Sequence, residues 1–296
     1  MNNKIIIAIF AVLILGVGGF YFLNSQRENN AKDTSKLVVQ SHRSYQIEVV
    51  SQPSSIEPKK PAAFRYKIKN DRGEVLKNYE IVHEKIMHFI AIRKDLAYFL
   101  HLHPDFNKAT GEFSIEITPP EDGPYRLFPD FTPGDGNPQK LPVTVYHDID
   151  VGNSTNYYAQ SVVPDSEQTK PYGDYKVATV FPKDAENQQE ITYTLNITKD
   201  GKPVTNLENY LGALGHSVVL KEGTLDFIHT HALEAKDSSS KQEHGTQPQH
   251  GSAGDTGRGP RISFAATFPE AGVYKIFTQF QHEGKVQTPD YAVKIN

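Results

Sequence analysis

Six of the chain's 12 histidines fall into two triads of identical spacing. His88, His101 and His103 are separated by twelve residues and then by one, and His216, His229 and His231 repeat that spacing at a constant offset, 216 − 88 = 128. Imidazole nitrogens at such a repeated spacing point to binding of a transition-metal ion, because neutral histidine suits copper and zinc alike. The rest of the composition narrows the donor set. There is no cysteine, which excludes thiolate sites, iron–sulfur clusters, disulfides and cysteine catalysis. The two methionines, Met1 and Met87, are too few for a methionine-rich copper(I) site. An ion here must be held by imidazole and carboxylate, and the expected cofactor is a copper or zinc ion, copper(II) ahead of zinc on affinity order.

The elements that must position these side chains are strands. Residues two apart on a strand share a face, so His101 and His103 lie with Phe99, and His229 and His231 lie with Phe227. His88 shares a face with Ile90 and Ile92. The polar stretch Arg93, Lys94, Asp95, Leu96 reads as a hairpin loop. Pairing Ile92 with Ala97 sets His88 opposite His101, and pairing Leu220 with Leu225 sets His216 opposite His229. Cross-strand neighbours stand about 4.5–5.5 Å apart at Cβ and diagonal ones about 7–8 Å, a span that one ion bridges. A slip of one residue would turn His88 to the other face. Candidates for a fourth ligand are Glu84, Met87 and Asp130 in the first unit and His282 in the second. Asp130 aligns with Gln279, so no carboxylate is shared there, and an open or water-filled fourth position is expected, as in exchange or catalytic sites. His42, His83 and His147 have no counterparts and read as surface residues. His244 and His250 lie in a polar tract.

In chain order, residues 1–24 read as a transmembrane signal anchor: Lys4 precedes an uncharged apolar run long enough to span a bilayer as a helix. No Ala-x-Ala cleavage site follows it. The bulk of the chain is therefore expected outside the cytoplasm, on a single-pass anchor in the cell membrane. Residues 25–39 form a tether. Residues 40–150 and 172–296 each read as a run of short alternating strands broken by Pro, Gly and Asp, joined by a linker over 151–171. A stretch rich in Ser, Gly and Gln at 234–259 cannot bury a core and reads as a mobile loop. No amphipathic helix is evident after the anchor. The predicted fold is all-β: two tandem immunoglobulin-like antiparallel β-sandwiches after one N-terminal transmembrane helix. The repeat extends past the histidines. Tyr66 answers Tyr193, and Phe113 with Tyr125 answers Phe264 with Tyr274, so the halves read as a duplication.

At −4, the net charge gives no basic footprint for nucleic acid. No phosphate-cradling glycine loop, Ser-His-Asp arrangement or singled-out carboxylate pair is present. The expected partners are the membrane, through the N-terminal helix, and metal ions.

The runs Glu84-Lys85-Ile86-Met87-His88, Phe99-Leu100-His101-Leu102-His103-Pro104 and Tyr125-Arg126-Leu127-Phe128-Pro129-Asp130-Phe131 resemble bacterial secreted or anchored β domains of the YtkA-like kind. The stretch from Gly212 through His216, His229 and His231 to Thr288 is similar to the same group. That resemblance covers both sandwiches and implies a link to copper or other heavy metals. The His-x-His on a sandwich strand is also similar to Cu/Zn superoxide dismutase, but neither the bridging histidine nor the aspartate zinc ligand of that family has a place here. The reading that follows is a non-enzymatic, membrane-anchored protein handling copper or zinc, with one three-histidine site per domain. The competing readings are a structural or adhesive immunoglobulin-like protein whose histidines merely pack, and a copper redox enzyme.

Overall fold

The computed structural model describes residues 44–135, 140–153, 155, 157–233 and 258–296, with backbone alone at His229 and His231. The expected anchor, the tether, His42 and the loop histidines His244 and His250 lie outside the described residues. Among those described there is no α-helix; the chain is all-β.

The first nine strands are β1 (Gln46–Ser51), β2 (Ala62–Lys69), β3 (His88–Arg93), β4 (Phe99–Leu102), β5 (Asp105–Asn107), β6 (Glu112–Ile117), β7 (Gly123–Phe131), β8 (Val143–Thr144) and β9 (His147–Val151). They form two antiparallel sheets. One has the order β1-β2-β6-β5; the other has the order β4-β3-β7-β8, with β9 also on β7. The alternation in β2 and β6 drives this, because Phe64, Tyr66 and Ile68 turn inward against Phe113, Ile115 and Ile117 and meet Phe89, Ala91 and Leu127 of the facing sheet.

Ten further strands build the second half: β10 (Thr169–Tyr172), β11 (Tyr175–Val180), β12 (Glu190–Lys199), β13 (Lys202–Pro203), β14 (His216–Lys221), β15 (Phe227–His231), β16 (Arg261–Thr267), β17 (Gly272–His282), β18 (Lys285–Gln287) and β19 (Asp290–Ile295). One sheet runs β10-β11-β12 with β13 and β16 on β12; the other runs β15-β14-β17 with β18 and β19 on β17. The core repeats the first one closely. Tyr66 stacks on Phe113 with ring centroids 5.4 Å apart, and Tyr193 stacks on Phe264 at 5.4 Å. The Tyr125 hydroxyl donates to the Glu121 carbonyl at 3.0 Å, and the Tyr274 hydroxyl donates to the Glu270 carbonyl at 2.8 Å.

Tyr45–Asn296 is one compact unit, and the reason is visible in β3. All six of its residues are buried, although a strand at the surface of a sandwich should bury alternate ones. Phe89 and Ala91 enter the core of the first half. Ile90 and Ile92, on the opposite face, join Phe128 and Leu96 in a third cluster with Val218, Leu220, Leu225 and Phe277 of the second half. The contacts are reciprocal. Phe99 stacks on Phe277 at 4.5 Å and 9°, and Phe128 meets Phe227 at 5.3 Å. Position 227 is the repeat equivalent of 99, and the match of Tyr125 with Tyr274 sets 277 against 128. The two halves therefore pack through the same face, like an isologous dimer within one chain.

Both hairpins differ in register from the sequence expectation by two residues. Ile92 pairs with Phe99 and Ile90 with His101, while Leu220 pairs with Phe227, Val218 with His229 and His216 with His231. The Arg93 amide bonds to the Tyr98 carbonyl at 2.9 Å, so the loop is Lys94, Asp95, Leu96 and Ala97. The cause is local. Asp95 is turned in to accept two bonds from Arg93, and Leu96 takes a left-handed conformation (φ 61°) that buries its side chain under the interface. A shift of two keeps every side chain on its face. His88 thus lies opposite His103 and diagonal to His101, the reverse of the pairing expected.

Candidate metal centre

The histidine faces of both halves are the faces that meet. His88 opens β3, His101 lies in β4 and His103 follows directly after β4, at one end of the interface cluster. Their ligand nitrogens all lie within 4.8 Å of one another, and among the described residues this is the one such grouping. Ring centroids are 5.2 Å apart for His88 and His101, 5.2 Å for His88 and His103, and 4.9 Å for His101 and His103.

Hydrogen bonds set the tautomers in this arrangement. His88 Nε2 lies 3.1 Å from the Val82 carbonyl oxygen and must donate to it, which leaves the lone pair of the neutral ring on Nδ1. His101 Nδ1 lies 2.5 Å from Gln279 Oε1, across the interface, and donates there, which leaves its lone pair on Nε2. His88 Nδ1 and His101 Nε2 then face each other at 3.1 Å. Two lone pairs at that distance repel unless something positive lies between them. Two nitrogens bound tetrahedrally to one ion at 2.0–2.1 Å stand about 3.3 Å apart, close to the observed separation. The third nitrogen is His103 Nε2, buried with no hydrogen-bond partner among the described residues. Burial, reinforced by the positive charge of Lys85, pushes His103 down from 6.5 to about 4, so the ring is neutral and ready to ligate at neutral pH.

In this arrangement the Gln279 Nε2 donates to Thr288 Oγ1 at 3.2 Å. With the amide turned over, Thr288 would donate to it and His101 would become the Nε2–H tautomer, donating to His88 Nδ1. The same side chains thus have one arrangement for an ion and another for a proton.

His216 mirrors His88. Its Nε2 contacts the Tyr210 and Leu211 carbonyls at 2.9 and 3.2 Å, as His88 contacts Val82, six residues upstream in both cases. Each carbonyl belongs to a tight turn, Val82 bridged to Lys85 and Tyr210 to Ala213, with positive φ at both central residues. Gly215 before His216 is required, since a Cβ there would stand 2.8 Å from the Gln279 carbonyl oxygen. The backbone register sets His216 directly opposite His231 and one diagonal step from His229.

Several expected roles change. Met87 is no ligand: its sulfur points into the core and accepts the Tyr66 hydroxyl at 3.0 Å. Glu84 is exposed on the turn. Asp130 pairs with His88 across β3 and β7, on the same face, and its Oδ1 accepts from Thr144 at 2.8 Å. His282 is occupied inside the second half, with Nδ1 at the Tyr175 hydroxyl and Nε2 at Asn206 Oδ1, 2.9 and 3.1 Å away. His147 is half-buried and contacts Gln52. His83, read as a surface residue, belongs to the cluster: its ring is 5.1 Å from that of His216 and 6.3 Å from that of His88. Sequence reasoning misses it because it has no repeat partner (Leu211 takes its place) and because its nearest imidazole, His216, belongs to the other half. Gln279 was noticed only for not being a carboxylate.

No curated protein matches the chain. Among solved structures it is similar to a mutant of Salmonella alpha-2-macroglobulin (11% identity, TM-score 0.27, covering 85% of this chain and 14% of that one). It is also similar to surface layer protein SbsC, domains 4–9 (12%, TM-score 0.22, 84% and 30%), and to the Yersinia pseudotuberculosis adhesin InvE (9%, TM-score 0.23, 86% and 59%). The chain spans less than two thirds of each, and at these TM-scores none bears on the site. Residues 40–148 and 170–296 each match one family model, described as a domain of unknown function, DUF8832, which says nothing of the YtkA-like resemblance. With both halves matched over most of its length, the chain belongs to the DUF8832 family.

Proposed function

We propose that this protein binds a divalent transition-metal ion, copper(II) ahead of zinc, at His88, His101 and His103, with His216, His229 and His231 as the equivalent site of the second half. In this reading it is a metal-handling protein, held outside the cytoplasm by the N-terminal anchor. Its two halves are immunoglobulin-like sandwiches. That part of the proposal is supported by the strand orders β1-β2-β6-β5 and β4-β3-β7-β9, which follow those of such domains, and by the tyrosine hydroxyls of Tyr125 and Tyr274 bonded back to the corner before β7 and β17.

The observation that carries the metal reading is the convergence of three ring nitrogens, of which His103 Nε2 is buried without a hydrogen-bond partner among the described residues. A buried polar atom left unmatched costs about 1–3 kcal/mol, and an ion removes that cost. The structural reading draws on the carbonyl contacts of His88 and His216, which would hold packed rings equally well, but it leaves His103 unexplained.

The test is metal analysis of the full-length chain purified in detergent without added metal, followed by titration with copper(II) and zinc. The expected result is two ions per chain, one lost on replacing His101 and His103 and the other on replacing His229 and His231. A chain that takes up neither metal at micromolar concentration defeats the proposal.

A further inference from the structure

We propose that the two triads form a single dinuclear centre, two divalent ions held side by side where the halves of the chain meet. This rests on reading each triad as a metal site and goes beyond it, since two sites on separate domains need not be neighbours. Three observations carry the inference. His88 and His216 open β3 and β14, whose Ile90, Ile92, Val218 and Leu220 join one cluster between the halves. The leading histidines are near each other and similarly anchored: the His88 and His216 rings are 6.3 Å apart and tilted by 30°, each with Nε2 at a turn carbonyl, which puts the lone pair of the neutral ring on Nδ1. His83 sits 5.1 Å from the His216 ring and 6.3 Å from the His88 ring, within one side chain's reach of both sites.

An ion bound at 2.0–2.1 Å lies about 3.2 Å from the centroid of its imidazole, so two ions on His88 and His216 are at most about 13 Å apart. Two dications that close repel, and the site has the means to offset this. Asp130 is paired with His88, and Glu84 shares the turn of His83 and lies 3.8 Å from where a Gly212 Cβ would be. His83 occupies the place of Leu211 in the equivalent turn, at φ 50° against 53°. One turn thus carries an imidazole beside the opposite half's His216 where the other carries an alkyl chain.

The experiment loads the full-length chain in detergent with two equivalents of copper(II) and records its electron paramagnetic resonance. Mutual dipolar broadening is expected, corresponding to a separation below about 13 Å. The broadening should fall progressively as copper is diluted with a growing excess of zinc, a control that needs no variant, and should vanish in His216→Leu, which should keep one ion with an isolated spectrum. Two bound ions with sharp, additive spectra overturn the dinuclear centre while sparing the separate sites, whereas a stoichiometry of one overturns both the dinuclear centre and the second site. A chain that binds no ion overturns the metal reading itself.

Discussion

Replacing His103 with leucine should make the metal-free protein more stable while destroying its first site. The ring is packed between His88 and His101 and stands at the end of the interface, with Nε2 buried and without a hydrogen-bond partner among the described residues. Leucine is similar in volume, so repacking costs under about 1.5 kcal/mol, whereas removing the unmatched nitrogen gains about 1–3 kcal/mol. The net expectation at pH 7 is a change between zero and about 2 kcal/mol in favour of the variant. Acid sharpens the contrast. The folded ring protonates only near pH 4, while in the unfolded chain it protonates near 6.5. Between these values the unfolded state binds the extra proton, so the wild-type chain loses stability as pH falls through that window and the variant does not. Two and a half pH units correspond to about 3 kcal/mol, which partial exposure of the ring reduces to about 1–2 kcal/mol. Urea denaturation followed by circular dichroism at pH 7 and pH 4 measures both quantities, and copper titration measures the loss of the first site, at least about 100-fold in affinity. A metal-free variant less stable than wild type by more than about 1 kcal/mol at pH 7 would refute the reasoning, since it would mean that His103 contributes packing rather than a ligand.

Gln279→Leu removes the acceptor of His101 Nδ1–H from the opposite half, and affinity for the first ion should fall about 10–100-fold in competition titration, with stoichiometry unchanged. Phe277→Ala opens a gap against Phe99 and should cost about 3–5 kcal/mol, read as a lowered denaturation midpoint with faster proteolysis at the junction of the halves. Arg93→Ala strips the partner from Asp95, whose side chain is only 2% exposed, and should cost about 3–5 kcal/mol in thermal or urea unfolding. Because the Arg93–Asp95 pair closes the hairpin between His88 and His101, weaker copper binding should accompany that loss.

In the sequence, period-two alternation and the 128-residue offset were enough to declare strands, a duplication, and the shared face of His88, Ile90, Phe99, His101 and His103. Side-chain direction in a strand is a local property, which is why those face assignments match the structure. Hairpin register was less legible. It turned on Asp95 folding back to Arg93 and Leu96 accepting a left-handed backbone, a choice made by burial on the far side of the loop rather than by loop polarity. The consequence of apolar residues on both faces of β3 was also written in the chain, as Phe89 and Ala91 alternating with Ile90 and Ile92, yet only the packed halves reveal what covers the second face. That packing brings His83, His216 and Gln279 to the first triad from positions 5, 128 and 191 residues from His88. The sequence by itself determined the donor types of the two triads and the strand faces that carry them, since residue type and strand period are local. The tertiary structure alone decided that His216 and Gln279 stand beside the first triad, because the burial of Phe99 on Phe277 and of Phe128 against Phe227 fixes how the halves meet, and no local pattern encodes that contact.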